Sequence, residues 1–218
     1  MDVILFGPPG AGKGTQADEI SQRLGTPHMS TGDLFRYHIK NETALGLRVK
    51  GILASGQLVG DDVVFDLVKA RLGEDDAQGG ILFDGFPRTV AQVELLEGWF
   101  APRARKMDVI LNMQAPDEML VSRIAGRRTC RECKTGYHVM FKPTAAPGVC
   151  DSCGGETYQR DDDQPAVVQN RITVYYEQTA PVLQWMRDNE RNVVDIDATQ
   201  SIADVRAAIH AALDALQG

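Results

Sequence analysis

The chain has 218 residues, of which 43% are hydrophobic and 24% charged, so it is long and apolar enough to build a folded core. These proportions exclude a disordered or fibrous chain. The formal net charge of −7 argues against broad electrostatic binding to nucleic acid. No apolar run approaches the roughly 20 residues of a membrane helix, and no signal-peptide pattern is present. We therefore expect a cytoplasmic protein that binds neither nucleic acid nor membranes.

Short apolar segments alternate with helical patterns along the chain. The strand patterns cover Val3–Phe6, Pro27–Met29, Ile81–Phe83, Met107–Met113 and Asn192–Ile196. The helical patterns cover Gly12–Leu24, Asp61–Leu72, Thr89–Gly98, Pro116–Arg127, Pro165–Asn189 and Ser201–Leu216. Strands that are apolar throughout are typical of parallel sheets buried on both faces. The alternation predicts an α/β fold with a doubly wound, parallel, five-stranded sheet and helices on both faces. Two segments interrupt it and predict insertions: 30–59, mostly helical, and 126–163, rich in turns.

A glycine-rich loop, Gly-Pro-Pro-Gly-Ala-Gly-Lys-Gly-Thr, joins the first strand to the first helix. Glycines allow several backbone N–H groups to turn toward phosphate oxygens, and the helix offers its positive N-terminal end to the same anion. Lys13 supplies a charge to the terminal phosphates, and Thr15 a hydroxyl near the metal or phosphate. The strict pattern G-x₄-G-K-[ST] is missed by one place, because a glycine follows the lysine. The loop predicts a nucleoside triphosphate site formed by Gly10, Ala11, Gly12, Lys13, Gly14 and Thr15.

A second polar motif follows the apolar segment Ile81–Phe83. Asp84 ends this strand, where a carboxylate can hold Mg²⁺ through water at the carboxyl edge of the sheet. Arg88 can form a forked contact with a phosphate. Gln92 lies one helical turn further on, and its amide could read the edge of a nucleobase.

All four cysteines lie in one window, as two C-x₂-C pairs with sixteen residues between them. This spacing is typical of zinc ribbons, in which two cysteine turns complete a tetrahedral sulfur shell. Four protein ligands leave no open position, so the site is predicted to be structural. Zinc is the expected metal, although iron, unrelated buried thiols and two disulfides remain alternatives. The ligands are Cys130, Cys133, Cys150 and Cys153.

Together these motifs resemble the adenylate kinase family, in its long form with a zinc-binding lid. The resemblance rests on the glycine loop, on Ser30-Thr31-Gly32-Asp33-Leu34 with Arg36, on Asp84–Arg88 with Gln92, and on Gly126-Arg127-Arg128 with the cysteines. It implies the reaction MgATP + AMP = 2 ADP, which serves adenine nucleotide homeostasis and AMP salvage. It also implies a monomer with a core of residues 1–29, 60–125 and 164–218, a monophosphate-binding insertion at 30–59 and a zinc lid at 126–163.

The resemblance further implies roles for individual positions. The AMP site would comprise Thr31, Arg36, Gln57, Leu58, Val59, Gly85, Phe86, Pro87, Arg88, Gln92, Arg160 and Arg171. On the ATP side, the glycine loop would be joined by Arg127, Gly136, Tyr137 and Gln200. The catalytic groups would be Lys13, Arg88, Arg123, Arg160 and Arg171. Asp161, Asp162 and Asp163 are interpreted as a charged hinge or helix cap in preference to a metal site.

Three alternatives stay open at this point. A kinase for UMP, CMP or GMP shares the glycine loop, but Thr31, Gln92 and the long cysteine-bearing segment favour AMP. A P-loop GTPase or motor would need serine or threonine directly after Lys13. A nucleic-acid-binding zinc ribbon draws support from nearby basic residues, and the acidic charge of the whole chain opposes it. The basic residues in question are Arg123, Arg127, Arg128, Arg131 and Lys134.

Overall fold

A parallel five-stranded sheet forms the centre of the computed structural model, which describes residues 1–216. In chain order the strands are β1 (Val3–Phe6), β2 (His28–Ser30), β3 (Leu82–Asp84), β4 (Val109–Gln114), β5 (Arg127–Cys130), β6 (Gly136–His138), β7 (Thr157–Tyr158) and β8 (Val193–Asp197). The large sheet has the order β2-β3-β1-β4-β8, and every pair in it is parallel. The predicted fold class is confirmed.

Helices connect these strands and cover the sheet. They are α1 (Lys13–Leu24), α2 (Thr31–Lys40), α3 (Ala44–Ala54), α4 (Asp61–Leu72), α5 (Val90–Phe100), α6 (Asp117–Ala125), α7 (Pro165–Val174), α8 (Ala180–Asp188) and α9 (Ile202–Asp214). Thr89 and Ser201 lie just outside α5 and α9 because their hydroxyls cap these helices, accepting from Gln92 N and Asp204 N. Helix α4 has the predicted bounds.

The central strands β1 and β4 are buried on both faces of the sheet. Successive side chains of a strand point to opposite faces. On β1, Ile4 and Phe6 pack into a core that includes buried residues of α2, α3, α4, α5 and α8. Val3 and Leu5 pack into a second core with α1, α6, α7 and α9. Because helices cover both faces, β1 is apolar throughout, whereas the edge strand β8 carries exposed aspartates.

The helices predicted for Gly12–Leu24, Thr89–Gly98 and Ser201–Leu216 differ from the structure by one or two residues at their ends, and two others differ further. The helix predicted for Pro116–Arg127 ends at Ala125, since Arg127 begins β5 and pairs with His138. The helix predicted for Pro165–Asn189 contains a π-helical segment at Tyr175–Thr179, between α7 and α8. The first of these two larger differences depends on a strand partner remote in sequence, which a local pattern does not reveal.

Both interrupting segments have structure of their own. Segment 30–59 contains α2 and α3, as the helical pattern predicts. Segment 126–163 holds an antiparallel sheet of order β6-β5-β7 in addition to its turns. Among residues 1–216, no helix combines the length and apolar character needed to cross a membrane. The last two residues of the predicted core segment 164–218 lie outside the described residues.

Candidate active site

The register of the sheet brings the glycine loop and Asp84 to one edge. Leu5 of β1 pairs with Asp84 of β3, so the carboxyl ends of these strands lie side by side. In α/β proteins of this kind, ligands bind in the crevice outside the carboxyl ends of the strands. The motifs that the sequence separates by some eighty positions therefore share one crevice.

The glycine loop has the backbone geometry of a phosphate-binding turn. Gly7, Gly10 and Gly12 have φ values of 134°, 88° and 93°, in the region that favours glycine. A Cβ on Gly7 would lie 2.3 Å from the carbonyl oxygen of Met113, so a side chain cannot fit there. Gly12 precedes α1 and has no side chain to cap it, which leaves the helix N-terminus available to an anion.

Lys13 reaches back across this loop. Its ammonium group donates to the carbonyl oxygens of Gly7 at 2.7 Å and Pro8 at 2.9 Å. Burial lowers the pKa of Lys13 to about 8, against the opposing effect of Asp84 and with a further lowering by Arg88 and two other arginines. Because burial disfavours the charged form of Lys13, a bound phosphate would stabilise the ammonium group by placing negative charge beside it.

Asp84 keeps its charge beside Lys13. Burial alone would raise the pKa of Asp84, but the imidazole of His28 and the charges of Lys13 and Arg88 outweigh burial and lower it. The Nε2 atom of His28 lies 3.5 Å from the Asp84 Oδ2 atom. A charged carboxylate at this edge is a hard oxygen ligand of the kind Mg²⁺ prefers, so the residues present fit the predicted magnesium role.

Five arginines surround the crevice: Arg36, Arg88, Arg127, Arg160 and Arg171. Burial, followed by repulsion from Arg171, lowers the pKa of Arg88 to about 10. Burial, together with the smaller effect of repulsion from Arg127 and Arg36, also lowers the pKa of Arg160 to about 10. These guanidinium groups therefore lie close enough to repel one another. Such a concentration of positive charge is suited to binding several phosphates.

Two aspartates hold part of this cluster in place. Asp163 is fully buried, and both of its oxygens accept from Arg127, with an Nε–Oδ2 distance of 2.8 Å. Its Oδ1 atom also lies 3.1 Å from the Arg171 Nη1 atom, which contacts Asp162 Oδ2 at 2.9 Å as well. The interpretation of Asp161–Asp163 as a helix cap is wrong, because α7 begins at Pro165 without a side-chain cap and the carboxylates of Asp162 and Asp163 bind arginines instead. The interpretation as a charged hinge stays a prediction.

Sequence reasoning missed this role because the partners are remote along the chain. The only local signal is an acidic run beside an arginine, which also describes many exposed turns. The same holds for His28, whose contact with Asp84 joins two neighbouring strands.

A cavity lies next to the arginines, with Arg88 in its lining. Its lining includes seven of the residues predicted for the AMP site: Thr31, Gln57, Leu58, Val59, Gly85, Arg88 and Gln92. The Thr31 hydroxyl donates to the Gly85 carbonyl at 2.8 Å, joining the start of α2 to the loop after β3. Phe86 and Pro87 are buried, and Phe86 packs on Phe83 in the core. The side chain of Phe86 is therefore part of the core and does not line the cavity.

The structure places the predicted ATP-side residues in three different settings. Arg123, predicted to be catalytic, donates to the Ala198 carbonyl at 2.8 Å, in the loop that carries exposed Gln200. Gly136 is exposed at the start of β6. Tyr137, predicted to cover ATP, is only 6% exposed, and its hydroxyl lies 3.3 Å from Cys150 Sγ. Its side chain therefore belongs to the cysteine cluster.

The four cysteines form a compact cluster of free thiols. Their sulfur atoms all lie within 4.8 Å of one another, and two of the Sγ–Sγ distances are 3.5 Å. A tetrahedral zinc site with Zn–S bonds of about 2.3 Å needs sulfurs roughly 3.8 Å apart, so the cluster could hold zinc. Lys134 and Gly154, each directly after a C-x₂-C pair, share a left-handed backbone (φ 64° and 74°) that completes each turn.

Comparisons with known proteins agree with this geometry. A sequence model of the adenylate kinase family matches residues 5–191. Adenylate kinase of Methanocella arvoryzae is 46% identical over 213 residues, which cover 98% of each chain. That of Moorella thermoacetica is 48% identical over 214 residues, again covering 98% of each chain. Adenylate kinase of Staphylococcus aureus is 45% identical over 216 residues, covering 99% of this chain and 100% of its own. The chain belongs to the adenylate kinase family.

Proposed function

We propose that this protein transfers a phosphoryl group reversibly from MgATP to AMP, giving two ADP, in adenine nucleotide homeostasis and AMP salvage. The observation that carries the proposal is the cationic cluster next to both the glycine loop and the cavity lined by Arg88 and Gln92. Lys13 in the loop and Arg88 in the cavity wall each interact with Arg171 and Asp84. A phosphate donor in the loop and a monophosphate in the cavity would meet at these charges.

The roles of the charged groups follow from the transition state of phosphoryl transfer. Negative charge spreads over the equatorial oxygens of a metaphosphate-like group, so positioning and electrostatic stabilisation do most of the work. Lys13, Arg88, Arg160 and Arg171 would bind these oxygens, and the α1 N-terminus would bind the donor phosphates. Mg²⁺, when bound near Asp84, would neutralise charge on the donor phosphates. No general base is needed.

Arg123 and Gln200 complete the scheme on the ATP side. Arg123 donates to the Ala198 carbonyl, in the loop that carries Gln200. We assign Arg123 to the phosphates, with the other catalytic arginines, and Gln200 to the adenine of bound ATP.

The need to exclude water during phosphoryl transfer suggests a role for the two interrupting segments and for the core. Water in the crevice would accept the phosphoryl group in place of AMP, so a closing cover is required. We assign this cover to residues 126–163, AMP binding to residues 30–59, and the catalytic core to 1–29, 60–125 and 164–218. Zinc on the four cysteines would stabilise a cover too small to fold on its own core. The monomeric state, the cytoplasmic location and the lack of nucleic-acid and membrane binding stay predictions.

One experiment tests the proposal directly. Purified protein is mixed with MgATP and, separately, with AMP, CMP, UMP or GMP, and diphosphate formation is followed. We expect fast ADP production with AMP alone. Preference for another monophosphate would refute the acceptor, while lack of transfer to all four would refute the reaction.

A further inference from the structure

The side-chain amide of Gln92 contacts a hydrogen-bond donor at its oxygen end and a hydrogen-bond acceptor at its nitrogen end. Its Oε1 atom accepts from the backbone N–H of Arg88 at 2.8 Å, and its Nε2 atom donates to Asp61 Oδ1, also at 2.8 Å. The Thr89 hydroxyl donates to the same carboxylate oxygen at 3.0 Å. Gln92 is 1% exposed and lines the cavity proposed for AMP. Its two ends therefore have fixed partners in a buried position.

Only one orientation of the amide satisfies these partners. The Arg88 N–H is purely a donor, and the Asp61 carboxylate is purely an acceptor. Turning the amide over would place Nε2 against the Arg88 N–H and Oε1 against Asp61. Two unsatisfied pairs in a buried position are costly, so the turned amide is strongly disfavoured.

The fixed amide keeps an ordered pair of hydrogen-bonding sites for a ligand. After these contacts, Nε2 retains one N–H and Oε1 retains one lone pair. On its N1 edge, adenine offers an acceptor ring nitrogen beside the N6 amino donor, which matches this pair. On the same edge, a 6-oxopurine such as hypoxanthine or guanine offers the N1–H donor beside the O6 carbonyl acceptor, which is the reverse. It would require the amide to turn over.

We infer that Asp61 is a specificity-determining residue, which fixes the orientation of the Gln92 amide and so selects adenine over 6-oxopurines in the acceptor site. The inference rests on the proposed function, because it assigns the base of the monophosphate to this cavity. Asp61 acts as a positioning residue through Gln92. It is the first residue of α4, and the short distance between α4 and the start of α5 allows its carboxylate to reach Gln92.

The test compares AMP with inosine monophosphate (IMP), whose base has nearly the same shape and the reversed hydrogen-bonding edge. The variant Asp61→Asn keeps the side-chain shape, and its amide can donate as well as accept, so it removes the conflict at one end of a turned Gln92. We expect the AMP:IMP ratio of kcat/KM to fall by about tenfold in this variant, with the KM for ATP unchanged. The matched control is Asp62→Asn, which removes the same charge from the neighbouring exposed position and should keep the wild-type ratio.

Equilibrium binding provides a second readout that does not depend on turnover. Calorimetric Kd values for AMP and IMP should converge in Asp61→Asn, and also in Asp61→Ser, whose shorter side chain withdraws the acceptor. If Asp61 merely stabilised the fold, both ligands would weaken equally and the ratio would stay constant, which would overturn the inference. A wild-type protein that accepts IMP as readily as AMP would also overturn it while leaving phosphoryl transfer intact. Failure of the wild type to phosphorylate AMP would refute the proposed function itself.

Discussion

Replacing Asp163 with asparagine tests whether this carboxylate holds the arginine cluster together. Asparagine keeps the shape but removes the charge, and it places an N–H₂ group where Arg127 and Arg171 present donors. Asp163 is 0% exposed, whereas the Arg127 and Arg171 side chains are 25% and 19% exposed. The variant would leave the two guanidinium groups without their shared negative charge, and with one acceptor oxygen in place of two, in a partly buried crevice.

The expected loss of stability follows from these exposures. Removing one partner of a fully buried ion pair costs about 3–5 kcal/mol. Water still reaches both arginines and screens the exposed charge, so we expect a loss of about 2–3 kcal/mol. For a chain of this length, each kcal/mol shifts Tm by roughly 2–4 °C, which predicts a decrease of about 4–12 °C.

Differential scanning calorimetry measures this shift, with Asp161→Asn as the matched control. Asp161 belongs to the same acidic run and is exposed, so its variant should unfold within about 1 °C of the wild type. Adding ATP and AMP together should restore more stability to Asp163→Asn than to the wild type, because phosphates supply the missing negative charge. Equal Tm values for the two variants would refute the reasoning.

Three further predictions concern the metal site, the lysine and the glycine loop. Zinc chelation, or Cys133→Ser, should lower Tm more than it lowers activity at low temperature, and a metal-free protein with an unchanged Tm would contradict the structural role. Because the folded pKa of Lys13 is about 8, below its ordinary value of 10.5, this group makes the protein more stable as the pH rises from about 8 to 10.5. The phosphates of ATP should raise that pKa, so binding at pH 8.5 should take up protons, and calorimetry in buffers of different ionisation enthalpy should detect this; a buffer-independent enthalpy would argue against it. Gly7→Ala should weaken ATP binding at least tenfold and destabilise the fold by about 1–3 kcal/mol, as measured by titration and urea unfolding, since its Cβ would meet the Met113 carbonyl. Gly98→Ala, in exposed helix with open space around it, should instead stabilise by about 0.5–1 kcal/mol, and a similar loss in both variants would contradict the steric argument.

Features determined by neighbouring residues could be predicted from the sequence. The apolar run Val3–Phe6, the glycine loop after it and the start of α1 form a continuous local signal. The strand has its predicted bounds, and α1 begins one residue after the predicted Gly12. Helix α4 also has its predicted bounds: Asp61 and Asp62 favour its N-terminus, and its buried residues Val64, Val68 and Leu72 recur at helical spacing. The close approach of the four sulfur atoms follows the cysteine spacing.

Features determined by remote partners could not be predicted. Arg127 leaves the helical pattern because it pairs with His138 in an antiparallel strand. Asp163 resembles any exposed acidic turn until the fold brings Arg127 and Arg171 to it. Tyr137 is an aromatic residue in segment 126–163, and only the structure shows that its hydroxyl lies beside Cys150. Each of these positions depends on a contact that no local pattern encodes.

The order of the central sheet also bears on how the chain is made. Strand β8 pairs with β4, Ile110 opposite Val193, although the whole cysteine-bearing segment is synthesised between them. A growing chain can therefore assemble β2, β3, β1 and β4 and bring its four cysteines together while the β4 edge is still open. Contacts this distant in sequence form slowly, and an open apolar edge is prone to aggregation. During synthesis, the segment proposed to close over the nucleotides emerges before the sheet is complete.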